Sequence, residues 1–245
     1  MRRLEGKVAF ITGGSRGQGA SHAERLATEG ATVVCADVLD DAGADTAARL
    51  CGLGLGVEYV HLDVTSADGW AAAIDGVGDR HGRLDILVNN AGIIHVNPLT
   101  DERLEDWNAT LAVNATGTFL GMREAVPLMR DGGGGAIINV ASIFGVAGAD
   151  GYIAYCASKG AVIAMSKTAA LELARDKIRV NVICPGGVST PMNENEPEGG
   201  VVPLTPLGRR AHVSEISGAV AFLASDDAVF VTGTELVIDG GYLAK

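Results

Sequence analysis

Short apolar runs alternate with amphipathic stretches along this 245-residue sequence, and that alternation constrains the fold more than any other feature. Strand-like runs are read at Lys7–Thr12, Ala31–Asp37, Val57–Leu62, Leu84–Asn89, Ala136–Ala141, Ile178–Cys184 and Glu235–Ile238. Helical stretches are read at Gln18–Glu29, about Asp40–Leu50, Ala67–Arg80, about Leu104–Arg130, about Gly151–Arg175 and Val213–Ser225. Such alternation builds βαβ units and predicts an α/β fold: a doubly wound parallel sheet of about seven strands with helices on both faces. No internal repeat or linker divides the chain, so residues 1–245 are expected to form a single domain. The stretch 186–209 carries Pro191, Pro197, Pro203 and Pro206 and has no clear period. Long loops in compact domains are usually functional or disordered; a mobile substrate lid is the functional reading and an inert surface loop the plainer one.

Composition bounds the partners. Hydrophobic residues make up 47% and charged residues 20%, enough for a large core. A formal net charge of -11 repels phosphate backbones, so nucleic acid is not an expected partner. No apolar run is long enough to span a bilayer, and Val8–Ile11 is too short for a signal-peptide core, so a soluble cytoplasmic protein without a membrane partner is expected. The N-x-T sequons at Asn108 and Asn114 then carry no meaning. Cys35, Cys51, Cys156 and Cys184 form no C-x-x-C pair, and the five histidines show no i,i+4 pairing, so no metal is expected.

The first strand runs into Thr12-Gly13-Gly14-Ser15-Arg16-Gly17-Gln18-Gly19. Gly13 suits a tight turn, Gly17 and Gly19 allow a pyrophosphate to approach the backbone, and the following helix N-terminus offers free N–H groups. A glycine loop alone is weak, but its place between a buried strand and a helix meets the structural condition for a dinucleotide site in a Rossmann-type sheet. Ser15 and Arg16 lie within the loop. The second strand ends at Asp37, close to the offset of roughly 20 residues expected for a carboxylate that accepts hydrogen bonds from the adenosine ribose. It would repel a 2′-phosphate, so NAD is favoured over NADP; Arg16 argues the other way and carries less weight. Asp63 ends the third strand, with Val64 beside it, and Asn89-Asn90-Ala91-Gly92 ends the fourth. Carboxyl ends of strands face the ligand in such sheets, which places these residues on the adenine side of a cleft. A helix cap is the bland reading of Asp63, and a turn that of Asn89 and Asn90.

Tyr155 and Lys159 stand at i,i+4 on the second long helix and share a face. Ser142 follows the strand Ala136–Ala141 at its carboxyl edge, and Asn114 lies on the preceding long helix. A phenol of pKa about 10 is a poor base near neutrality. An ammonium about 4 Å away contributes on the order of 4 kcal/mol at an effective dielectric of 20, enough to bring the phenol toward neutrality. The constellation therefore reads as Tyr155 the acid/base, Lys159 its cation and Ser142 a donor to a substrate oxygen.

The loop Thr12–Gly19, Asp63, Asn89–Gly92, Asn114, Ser142, Tyr155-xxx-Lys159 and Pro185-Gly186-xxx-Thr190, in this order, resemble the single-domain branch of the short-chain dehydrogenase/reductase family over essentially the whole chain. The resemblance implies that Asn114 orders a water joining Lys159 to a proton relay. It implies that Lys159 also holds the nicotinamide ribose, and that Thr190, with backbone near Val188, meets the nicotinamide carboxamide. It also implies that the two long helices pair across subunits in a homotetramer, with Ala157, Ala161, Ala164 and Ala169 permitting close contact. Within the family the sequence is most similar to bacterial NAD-dependent hydroxysteroid dehydrogenases, through Cys35–Asp40, His61–Thr65, Thr205–Arg209, Val231–Thr234 and Val237–Gly241.

These readings predict an oxidoreductase moving a hydride between NAD(H) and a hydrophobic secondary alcohol or ketone, cyclic ones included. A ketoacyl-thioester reductase and a non-catalytic nucleotide sensor are the alternatives. The first would favour a basic entrance and NADPH; the second has no need of Tyr155 and Lys159 together. Ile94, His95, Ile143, Phe144, Ala149, Tyr152, Gly187 and Met192 are the candidate pocket residues. The sequence ends soon after Gly241, so little contribution from the tail to substrate binding is expected.

Overall fold

Every residue of β1 (Val8–Thr12) is buried, as an apolar run at the centre of a parallel sheet requires. The strand belongs to a computed structural model that describes residues 2–193 and 200–244. With β2 (Thr32–Asp37), β3 (Val57–His61), β4 (Ile86–Asn89), β5 (Gly135–Val140), β6 (Ile178–Pro185) and β7 (Glu235–Ile238) it forms one parallel sheet of seven strands in the order β3-β2-β1-β4-β5-β6-β7.

Successive strand residues point to opposite faces, and the two cores follow from that period. Ala9, Ile11, Val33, Cys35, Ile86 and Val88 pack beneath α1 (Gly17–Thr28), α2 (Asp40–Gly52) and α7 (Val213–Ala224). Phe10, Val34, Leu87, Ile137 and Val180 pack against α3 (Ala67–His81), α5 (Gly117–Asp131) and α6 (Ile153–Leu173). Trp70 of α3 is the largest fully buried side chain, tilted against Phe10 at 5.7 Å between ring centroids.

Two of the differences from the sequence reading bear on the site. The helix expected from Leu104 to Arg130 is α4 (Leu104–Leu111), a π-helical turn over Ala112–Thr116, and α5. The extra residue of that turn places the buried Asn114 at the break. β3 stops at His61, so Asp63 lies beyond the strand rather than at its end. Its carboxylate accepts from the Thr65 amide (2.9 Å) and hydroxyl (2.8 Å), closing a turn, while Ser66 caps α3. No helix among the described residues is long and apolar enough to cross a membrane.

Candidate active site

The strand order reverses between β1 and β4, which opens a crevice at their carboxyl ends. The Thr12 hydroxyl accepts from the amides of Asn90 and Ala91, both at 3.0 Å, and the Asn90 side chain donates to the carbonyls of Thr12 (2.9 Å) and Gly13 (3.2 Å). The glycine loop is thereby fastened to the end of β4. Gly13 and Gly17 stand at φ +63 and +56, in the left-handed region that favours glycine. A Cβ on Gly19 would lie 2.0 Å from the Gly13 carbonyl oxygen, so Gly19 lets α1 close onto its own loop rather than admitting a ligand.

A cleft of about 500 Å³ opens here, lined by Gly13, Arg16, Gly17, Asp37, Asp63, Val64, Asn90, Ala91, Gly92 and Thr190 together with Gln18. At its far end the Asp37 carboxylate accepts from the amides of Val38 (2.8 Å), Leu39 (3.3 Å) and Ser15 (3.2 Å). Three amides fix its direction. Arg16 is exposed at the rim.

Asn90, Gly92 and Thr190 also line a smaller adjoining cavity of about 80 Å³, with Ser142, Tyr155, Lys159, Pro185, Gly186 and Val188. α6 supplies Tyr155 and Lys159 from one face, and the Lys159 ammonium lies 5.6 Å from the centroid of the Tyr155 ring. Lys159 is buried and donates to the Val140 carbonyl at 2.8 Å. Desolvation pushes its ammonium down to about 8, so it keeps most of its charge at neutral pH. The Ser142 hydroxyl accepts from the Phe144 amide at 3.1 Å, which leaves its proton for another acceptor. Asn114 lines neither cavity. Its amide donates to the Ile93 carbonyl (2.9 Å) and the Ser158 hydroxyl (3.0 Å) and accepts from the Ile93 amide (2.8 Å). Among the described residues its side chain thus locks the segment after β4 to α6.

A family model described as enoyl-(acyl carrier protein) reductase matches residues 13–243. The 3-alpha-(or 20-beta)-hydroxysteroid dehydrogenase of Mycobacterium tuberculosis is 47% identical over 242 residues, 99% of this chain and 91% of the relative. The cyclopentanol dehydrogenase of Comamonas testosteroni is 43% identical over 250 residues, covering 100% of both chains. A solved short-chain type dehydrogenase/reductase from Mycobacterium marinum superposes with a TM-score of 0.95 at 37% identity, covering 99% of this chain and 97% of that one. The chain belongs to the short-chain dehydrogenase/reductase family.

Family membership makes this dehydrogenase an oxidoreductase that uses a nicotinamide dinucleotide, NAD or NADP. The residues present fit that group. The cleft holds about 500 Å³, Gly13 and Gly17 bring bare backbone to its floor at positive φ, and the first turn of α1 has no side-chain cap over its amides. Gln18, which lines both cavities, has its Oε1 buried without a hydrogen-bond partner among the described residues.

Several side chains of the dehydrogenase stand elsewhere than the sequence suggests. Ser15 is buried behind the cleft and donates from its hydroxyl to the Leu39 carbonyl at 3.3 Å. Asn89 points into the core, where it donates to Asn139 at 2.8 Å, because its place inside β4 turns it away from the crevice. Of the candidate pocket residues, Ile94, Ile143, Phe144, Gly187 and Met192 line the smaller cavity. His95 turns instead to Thr110 of α4 at 3.0 Å, and Tyr152 packs behind Phe144 at 5.2 Å. Gln18 was legible as a polar residue in the first helical turn after the loop, yet only its placement between the two cavities shows its relevance. The expected lid spans 186–209, of which residues 194–199 lie outside the described residues.

Proposed function

We propose that this enzyme oxidises hydrophobic cyclic secondary alcohols to ketones, and runs the reverse reduction, with NAD as its cofactor. The observation that carries the reading is the joining of the two cavities: Ser142, Tyr155 and Lys159 line the smaller, and Asn90, Gly92 and Thr190 line both. When bound, NAD supplies the acceptor for the hydride that leaves the alcohol carbon. Ser142 holds the substrate oxygen by donating its hydroxyl hydrogen. Tyr155 takes the hydroxyl proton as the carbon–oxygen double bond forms, and Lys159 stabilises the phenolate that does so. Gly13, Gly17 and the first-turn amides of α1 would take the pyrophosphate, Lys159 the nicotinamide ribose, and Thr190 with Val188 the carboxamide.

The preference for NAD rests on Asp37. Its carboxylate is fixed at the cleft by backbone amides, where it would accept from ribose hydroxyls and repel a phosphate. The cyclic substrate is supported by relatives named for hydroxysteroid, trans-4-hydroxycyclohexanecarboxylate and cyclopentanol substrates, and by Ile94, Ile143, Phe144 and Met192 around the smaller cavity. The family model's description raises an acyl-thioester substrate instead. A carrier of that kind is anionic, and a chain of net charge -11 gives it no electrostatic help.

α6 leaves Ile153, Ala157, Ala164 and Leu171 exposed, and Phe119 of α5 is exposed as well. Leu171 is 82% exposed, more than packing within one subunit explains. This face supports a homotetramer built on α5 and α6; Ala169, by contrast, packs into its own core. We place the enzyme in the cytoplasm, with segment 186–209 as a substrate lid. A panel of cyclic and acyclic secondary alcohols with NAD, followed by NADH absorbance, tests the main reading. Activity confined to acyl thioesters would overturn it.

A further inference from the structure

Phe144 stands two residues after Ser142 on a short 3-10 turn (Ile143–Gly145) and forms part of the wall of the smaller cavity. Two rings back it, one from nearby in the chain and one from its far end. Tyr152 lies 5.2 Å away, tilted at 47°, and Tyr242 lies 6.3 Å away, edge-on at 72°. Tyr242 is placed by a tight reversal after β7. Gly240 and Gly241 take φ +62 and +90, and the Asp239 carboxylate accepts from the amides of Gly241 and Leu243, each at 2.8 Å.

The same reversal grips a second wall. The Leu207 amide donates to the Gly240 carbonyl at 3.1 Å. A Cβ on Gly240 would come 2.8 Å from Thr205 Cγ2, and one on Gly241 3.0 Å from Pro206. Thr205 in turn donates to the carbonyl of Val201, whose side chain packs against Gly187 and lines the cavity. Residues 239–242 therefore tie the Phe144 wall to the arm 201–207.

We propose that Tyr242 is a positioning residue for substrate: by bracing Phe144 while its neighbours hold the 201–207 arm, it fixes the width of the cavity beside Ser142 and so selects cyclic over small acyclic secondary alcohols. The inference rests on the alcohol-dehydrogenase reading above. A ring-shaped substrate reaches the Phe144 wall and loses contacts when that wall relaxes. A three-carbon alcohol anchored at Ser142 and Tyr155 does not reach it. Aromatic pairs are directional, so an aliphatic side chain at 242 does not replace the ring.

The test is steady-state kinetics with NAD on cyclohexanol and 2-propanol for the wild type, Tyr242→Ala, Tyr242→Leu and Tyr242→Phe, with NADH affinity measured by fluorescence titration. Tyr242→Ala and Tyr242→Leu are expected to raise KM for cyclohexanol about tenfold with kcat held within about twofold. The 2-propanol parameters and NADH affinity stay near wild type, and Tyr242→Phe restores the cyclohexanol KM. Tyr242→Leu keeps more apolar bulk than alanine, so it reports even where Tyr242→Ala does not fold. Equal losses on both alcohols, an unchanged ratio between them, or no rescue by phenylalanine would overturn the role of Tyr242 while leaving the enzymatic reading intact. A wild type inactive on every secondary alcohol would overturn both.

Discussion

The Lys159 ammonium donates to the Val140 carbonyl at 2.8 Å, tying α6 to the strand end that delivers Ser142. Its burial holds the native pKa near 8 against an ordinary 10.5. Below about pH 8 native and unfolded chains both carry the proton, and the fold bears the full cost of a buried cation. Between 8 and 10.5 the unfolded chain holds more protons than the native one, so this group's contribution rises with pH. Wild type measured against Lys159→Met is therefore expected to gain on the order of 3 kcal/mol across that window. Denaturant titrations of both proteins at successive pH values check it; a pH-independent difference would refute the assignment.

Tyr155→Phe keeps the ring and removes only the group assigned to the proton. Turnover is expected to fall about 10²–10⁴-fold while thermal stability and NADH affinity stay close to wild type. Retention of near wild-type kcat on a verified alcohol would sink the assignment of the acid/base role to Tyr155.

Asp37→Ser removes the charge that faces the ribose side of the cleft. The ratio of kcat/KM for NAD to that for NADP is expected to drop by at least about tenfold, chiefly through a weaker NAD term. If the wild type already uses NADP as well as NAD, Arg16 outweighs Asp37 and the cofactor preference is wrong.

Two glycines separate close packing from mere flexibility. Gly19→Ala forces a Cβ to 2.0 Å from the Gly13 oxygen and is expected to cost about 2 kcal/mol or more and to weaken cofactor binding. Gly52→Ala, at the end of α2 with nothing within 4 Å, is expected to stabilise by about 0.5 kcal/mol. Thermal melts of the two variants give opposite signs if the loop is packed as described.

The exposed face of α5 and α6 predicts a tetrameric mass by light scattering at micromolar concentration. Leu171→Glu places a charge in that face and is expected to shift the mass to a smaller species without loss of helicity. A monomeric wild type would refute the assembly.

The alternating elements were readable because each carries its own period: apolar runs for β1 to β7, and amphipathic or Ala-rich stretches for the helices. The loop, Asp37 and the Tyr155–Lys159 pair were readable because short spacing fixes their geometry. The π-helical turn was not, since a helix with one extra residue has no compositional mark. Asn89 was misread because strand alternation, not proximity to Asn90, decides which way it points. The contact of Tyr242 with Phe144 joins residues far apart in sequence, and the glycines that place it stood out in the sequence only as part of the family resemblance.

The π-helical turn over Ala112–Thr116 has a bearing on how this chain tolerates change in length. A residue removed there would not shorten a loop; it would return the segment to α-helical register and rotate α4 by about 100° around its own axis. Thr110 would leave His95, and the face that α4 turns toward α6 would swing a little more than a quarter turn away from it. One stretch of helix thus behaves as an indexing joint, in which a single codon sets the angle at which everything before it meets the active-site wall.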